Sequence, residues 1–203
     1  GKLTRDGRMS RFKSGFEKIL HASEHPIIPV YLGGVWGSVF SHYPTGIIPR
    51  YFPYPVSVWY GEPLATSSSA LESRKAVTRL SLKHYEQRAD NGKLHLEAGE
   101  FYKLGAVKLP CILLEDLLMA ELSEQDPVLA VSTAQDGSPL ILFDSTSYSL
   151  EVISAALKAL PLRESWRPDN NSLLPVEKIP SEDAKQIDRK QVRIFVDSLK
   201  KLR

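Results

Sequence analysis

The sequence predicts an α/β fold over residues 1–90, followed by a small α+β domain over residues 91–203. Three observations lead there. Short apolar runs rich in β-branched residues, at 27–32 and 56–60, alternate with stretches of helical periodicity at 12–22 and 70–88. A turn signal, Ala89-Asp90-Asn91-Gly92, marks a change of pattern. Beyond it the chain reads as hairpin, helix, two strands, helix, strand and helix, enough for one compact unit.

In the first part, Phe12, Phe16, Ile19 and Leu20 fall on one face of a helix over 12–22, with Ser10 as N-cap. His25-Pro26 ends it, and 27–32 is a strand. Residues 33–55 are aromatic and rich in Gly and Pro, carrying Trp36, Phe40, Tyr43, Tyr51, Phe52 and Tyr54. They either cover one end of the sheet or present aromatic side chains to a lipid interface. A second strand at 56–60, beside the first, closes at Gly61-Glu62-Pro63-Leu64. Ser69 and Glu72 stand at capping-box spacing before a long helix over 70–88, whose Arg74, Lys75, Arg79, Lys83 and Arg88 form either a solvated face, the favoured reading, or a binding surface. Phe16 and Leu20 are expected to pack against the sheet.

In the second part, 93–110 alternates like a hairpin and 112–122 is an apolar helix containing Glu115 and Asp116. Strands at 128–133 and 140–143 are joined by a Gln-Asp-Gly-Ser-Pro turn. A helix over 149–160 with Ser149 as N-cap, a strand at 173–176 and a basic helix over 191–202 complete it.

With 203 residues, 42% hydrophobic and 25% charged, the chain falls in the soluble globular class, with room for one or two domains. The single cysteine, Cys111, excludes an internal disulfide framework, and its apolar surroundings predict an inert buried thiol. No basic, apolar and small-residue sequence of a signal peptide is present. Residues 26–49 lack formal charge but carry four prolines and four glycines, which excludes a continuous membrane helix there.

Charge is concentrated at the start. Residues 1–21 hold six cations, Lys2, Arg5, Arg8, Arg11, Lys13 and Lys18, against Asp6 and Glu17, in a chain of net charge +2. Thr4, Ser10, Ser14 and several glycines lie among them. Guanidinium forks, hydroxyls and exposable backbone N–H groups are what binding a phosphate requires. The competing reading is a solvated basic terminus.

The blocks Gly-x-x-Thr-Arg-x-Gly (Gly1, Thr4, Arg5, Gly7), Phe12-Lys13-x-Gly15 and Pro26-Ile27-Ile28-Pro29-Val30 resemble the second half of the glycerolipid (lysophospholipid) acyltransferase domain. The continuation at 32–40, Leu-Gly-Gly-Val-Trp-Gly-Ser-Val-Phe, is similar to the branch fused to an acyl-carrier-protein synthetase. The resemblance covers residues 1–90 and implies a partial acyltransferase-like sheet with helices. It implies substrate binding by Gly1, Thr4, Arg5 and Lys13, with Arg5 on the phosphate. In that family a His-x4-Asp block lies upstream, its histidine taking a proton from the glycerol hydroxyl and its aspartate orienting the ring. None of the five histidines here has Asp five positions on; His95 has Glu100 there, on the wrong side of the phosphate block. On this reading the chain is a fragment without its catalytic base, with no catalytic residue of its own in the acyltransferase half and no turnover alone.

Residues 91–203 resemble the small C-terminal lid of adenylate-forming acyl ligases, through the hairpin around Gly105-Ala106, the Leu114-Glu115-x-Leu117 helix and the run Ile187-Asp188-Arg189-Lys190. The family's catalytic lysine position aligns with Gln186, and Lys185 sits one residue early. Lys185 is therefore the sole candidate for that role, and the lid is expected to keep its fold without the activity. ATP and Mg2+ are implied only for the full ligase, whose phosphate loop has no counterpart here; Thr66-Ser67-Ser68-Ser69 lacks its glycines and lysine. No cofactor and no metal is expected in this chain.

Two functions follow. The first is part of an enzyme of phospholipid metabolism, transferring acyl groups from acyl carrier protein or acyl-CoA to a lysophospholipid. It would act as a peripheral protein on the cytoplasmic face of the inner membrane, or in the cytoplasm. The second is a non-catalytic module whose basic surface binds anionic headgroups or the acidic helix of a carrier protein. Neither calls for nucleic acid.

Overall fold

The computed structural model describes residues 7–20, 23–36, 55–94, 99–124, 126, 128–183 and 186–199. The fold mixes helices with small sheets and divides into two compact units, Met9–Ala98 with Gly1–Thr4, and Gly99–Arg203 with Arg5–Arg8.

The first unit contains α1 (Gly15–Leu20), β1 (Val30–Gly33), β2 (Ser57–Tyr60) and α2 (Ala70–Asp90). Strands β1 and β2 form an antiparallel ribbon with Val30 opposite Tyr60 and Leu32 opposite Val58. The expected neighbouring strands are thus present, but the ladder starts only at Val30. Pro26 and Pro29 have no N–H to donate, so Ile27 and Leu64 make a separate bridge, and the Gly61 N–H reaches the Pro29 carbonyl at 2.9 Å. Helix α1 starts at Gly15 and not at the predicted residue 12, because Ser14-Gly15 favours a turn over helix continuation; residues 21 and 22 lie outside the described residues. It buries no residue, Phe16 and Leu20 included; the helix packed on the ribbon is α2.

Helix α2 starts where the capping box predicts. The Ser69 hydroxyl accepts from the Glu72 N–H at 3.2 Å, and a Glu72 carboxylate oxygen accepts from the Ser69 N–H at 2.7 Å. It ends at Asn91-Gly92, with Gly92 at φ 64, a backbone angle natural to glycine. The solvated face expected of its cations is only partly found. Arg79 and Lys83 are exposed, but Arg74 and Arg88 are buried, 1% and 8% accessible. Periodicity misses this because a guanidinium on a long side chain can reach a main-chain carbonyl far away in sequence: Arg74 donates to Met9 O at 3.2 Å and Arg88 to Pro55 O at 2.9 Å.

The ribbon's alternation is inverted relative to an ordinary half-buried sheet. Tyr31, Gly33, Ser57 and Trp59 face α2, whereas Ile28, Val30, Leu32, Val56, Val58 and Tyr60 are exposed, from 38% at Val30 to 72% at Tyr60.

The second unit opens with a hairpin of β3 (Phe101–Leu104) and β4 (Val107–Pro110), turned at Gly105 with φ 58. Helix α3 (Cys111–Glu121) follows without a break. Strands β5 (Leu129–Thr133) and β6 (Pro139–Asp144) pair antiparallel, and β7 (Leu173–Val176) pairs parallel to β6. That parallel pairing needs a crossover, which α4 (Leu150–Ala159) supplies. Strands β8 (Ser181–Asp183) and β9 (Gln186–Ile187) form a short hairpin that the sequence does not announce, before α5 (Arg189–Leu199). Ala130, Leu142, Val176, Ile179, Ile187, Val192 and Val196 make one core cluster under α5, while α3 packs on β5 and α4 on β7.

Candidate functional site

Of the residues expected to bind substrate, Gly1, Thr4 and Arg5 lie outside the described residues, as does Lys185. Lys13 is exposed, just before α1. The described stretch that leads to it, residues 9–13, is neither helix nor strand. Helix α2 holds this stretch at Met9: Arg74 grips the Met9 carbonyl, and the Thr78 hydroxyl lies 3.7 Å from the Met9 sulfur. Arg11 is exposed two residues on, so Arg11 and Lys13 present two cations from an anchored, irregular stretch.

An open pocket of about 300 Å³ lies at the start of α2, lined by Glu17, Leu20, Ser23, Thr66, Ser67, Ser68 and Ser69. A helix N-terminus attracts anions through its unpaired N–H groups and dipole. Here the protein's own carboxylates take those donors. Glu17 Oε1 accepts from the Ala70 N–H at 2.6 Å, and Glu72 takes the Ser69 N–H and hydroxyl at 2.7 and 2.9 Å. The Ser69 hydrogen bonds hold Glu72 below the usual carboxylate range. This hydroxyl-rich turn is therefore a capped helix start and not a vacant phosphate cradle.

Beneath the ribbon, the Ser57 hydroxyl and His84 Nδ1 are 2.9 Å apart, and Trp59 Nε1 donates to Ser57 Oγ at 3.2 Å. A serine beside an imidazole has the outline of a nucleophile and its base. His84 is fully buried, however, with ring contacts to Tyr31, Trp59 and Tyr85, and Gly33 lies flat against it. The group is a packing lock between α2 and the ribbon. Neither Ser57 nor His84 stands out in the sequence; the signal is Ser57 at an inward position of a strand, directly opposite Gly33.

The second unit gathers its polar groups around two carboxylates. Glu115, fully buried on α3, accepts from the Val131 N–H at 2.6 Å and from both ends of the Arg189 guanidinium at 2.5 Å. Glu100 accepts at one oxygen from Ser132 Oγ and Thr133 Oγ1 at 3.1 Å and from Arg193 at 3.3 Å. Asp188 caps α5 through the Gln191 N–H at 2.9 Å, and Ile187 is buried. The Ile187-Asp188-Arg189 run thus serves as an anchor: one apolar plug, one cap, one ion pair. Sequence reading did not pair Glu115 with Arg189, 74 positions away, though a carboxylate inside an apolar helix signals the need for a cation.

Cys111 is buried, and burial, aided by the Glu100 and Glu115 charges, pushes its thiol well above its ordinary pKa. Burial and the raised pKa both disfavour the reactive thiolate, in keeping with the buried thiol its surroundings predict. Tyr102, also buried, has a hydroxyl without a hydrogen-bond partner among the described residues, and burial raises its pKa. Among the described residues no group of three or more His, Cys, Asp and Glu could hold a metal ion, and no helix is long and apolar enough to cross a membrane. No protein-family model matches this chain, and no curated protein or solved structure matches it.

Proposed function

We propose that the first unit is the substrate-binding part of an acyltransferase that works on lysophospholipids at a membrane surface. The observation that carries this reading is the outward apolar face of the ribbon, in the same unit as the exposed cations Arg11 and Lys13. Exposed apolar side chains together with cations suit a protein that reaches an anionic lipid from the water side. The motif blocks at Arg5, Phe12-Lys13 and 26–30 give the same reading from sequence. Because these 203 residues contain no His-x4-Asp block, the chain alone is expected to bind but not to transfer. The acyl donor would be carrier-bound or coenzyme A-bound, and the protein peripheral, on the cytoplasmic face of the inner membrane.

Sedimentation with vesicles tests this. The chain should pellet with phosphatidylcholine vesicles containing an anionic lysolipid, and Val58→Glu on the outward face should lower the bound fraction several-fold. Equal recovery in the supernatant with and without vesicles overturns the reading.

A non-catalytic reading is favoured by α5, where Lys190, Arg193 and Ile194 are exposed and the sequence is basic. Such a surface fits the acidic helix of an acyl carrier protein. Salt-sensitive binding to a carrier protein, lost on Arg193→Glu and unaffected by Val58→Glu, distinguishes it.

A further inference from the structure

The outward face of the ribbon is set apart from the rest of the surface. Among the described residues, no other helix or strand presents more than two exposed large apolar side chains: Ile19 is on α1, Leu150 and Val152 on α4, Ile194 on α5. The ribbon and the residues entering it present six, Ile28, Val30, Leu32, Val56, Val58 and Tyr60. Val30 lies directly across from Tyr60, and Leu32 from Val58, so these four form one block and not scattered singles. None of the six is charged, and their one polar side-chain atom is the hydroxyl of the well-exposed Tyr60. Scaled by the surface that an extended chain exposes per unit mass, their exposures leave roughly 500 Å² open. A continuous patch of that size on a single chain is often a working surface.

Whatever covers this face in water must be apolar, uncharged and of similar extent. The remaining exposed apolar side chains are too few on any one element to match it. Contact between unlike patches of two copies would therefore leave most of it wet. The same face of a second copy matches it in size, polarity and twist, and a two-fold axis pairs such a face with itself. Twisted sheets pack face to face at about 30°, and here that contact would bury no charge. Two faces together remove roughly 1,000 Å² from water, the lower limit for a specific interface and the scale of a reversible one. We infer that in water the ribbon faces of two copies pack on one another across a two-fold axis, and that a bilayer replaces the second copy. The replacement rests on the membrane reading above; the dimer stands without it.

Sedimentation equilibrium of the whole chain between about 1 and 100 µM, the range expected of so small an interface, tests the dimer. The average mass should climb from that of one chain toward that of two. Leu32→Glu and Val58→Glu should each raise the midpoint at least about tenfold, because each sets a carboxylate without a cation into the contact. Val58→Leu keeps the face apolar and should move the midpoint by less than about threefold. Ile194→Glu, on α5, should not move it. A monomer throughout the range, aggregates with no dimer step, a dimer that survives both glutamates at positions 32 and 58, or an equal loss in Ile194→Glu overturns the dimer. Phosphatidylcholine vesicles containing an anionic lysolipid, at a concentration that binds half of the dilute protein, test the replacement. The bound fraction should fall several-fold as protein passes the dimer midpoint, since a dimer hides the face. A bound fraction that stays constant overturns the replacement. A dimer that never pellets with vesicles overturns the membrane reading and leaves the dimer standing; pelleting by a chain that stays monomeric does the reverse.

Discussion

Gly33 and His84 show how closely one residue can constrain another. A Cβ built on Gly33 would lie 2.4 Å from His84 Nδ1, inside any allowed contact. Gly33→Ala should therefore destabilise the first unit by about 1–3 kcal/mol in urea unfolding, the usual cost of overpacking, although alanine ordinarily suits a strand better than glycine. His84→Ala should remove most of that penalty in the double variant; a simple sum of the two effects would mean that the ring does not set it. In the second unit, Arg189→Met leaves the fully buried Glu115 carboxylate without its cation, and about 3 kcal/mol should be lost. Tyr148 gives a pH dependence of known sign. Burial and then its hydrogen bond to Glu124 push its hydroxyl from 10 up to about 12. The folded state favours the protonated phenol, so this contribution is complete below pH 10 and fades as pH rises toward about 12. Thermal melts of Tyr148→Phe should lack that alkaline decline. Asp144 works at the other end. Hydrogen bonds led by the Thr146 hydroxyl hold its carboxyl below the ordinary range, so its contribution is present at neutral pH and lost as pH falls through the lowered value.

Among the elements, α2 shows best what could be read in advance. Its start was visible in Ser69 and Glu72, because a capping box is local chemistry written in four consecutive residues. Ser69→Ala should cost about 1 kcal/mol by the same logic, measurable as a lowered urea midpoint with unchanged slope. The destinations of Arg74 and Arg88 were not visible, because each reaches a carbonyl on a distant stretch that periodicity does not describe. Strand positions were legible to within a few residues: the runs at 27–32 and 56–60 are the ribbon, and 173–176 is β7 as read. The inverted exposure of the ribbon was not. A short run such as Val-Ser-Val-Trp-Tyr looks the same whichever face is covered, and the covering depends on α2 bringing His84 to Gly33. The anchoring of α5 through Arg189 was hidden for the same reason, whereas the burial of Cys111 followed from its neighbours alone.

At the scale of the whole molecule, the two units carry different expectations. The second unit keeps the Ile187-Asp188-Arg189 run as an anchor, and the sequence offers no nucleotide-phosphate loop. Pyrophosphate release from ATP with a fatty acid present should therefore stay at the blank in a coupled assay, and a robust signal would falsify the lid reading. For the first unit the ribbon has a practical consequence in the test tube. A short two-stranded sheet whose oily side faces water offers neighbouring chains a place to stick, and no third strand guards its margins among the described residues. Recombinant material should consequently clump as its concentration rises and stay dispersed in mild detergent. Lysine at the outward Leu32 or Val58 should raise the attainable concentration with only a small change in melting point, because more than half of each residue faces water.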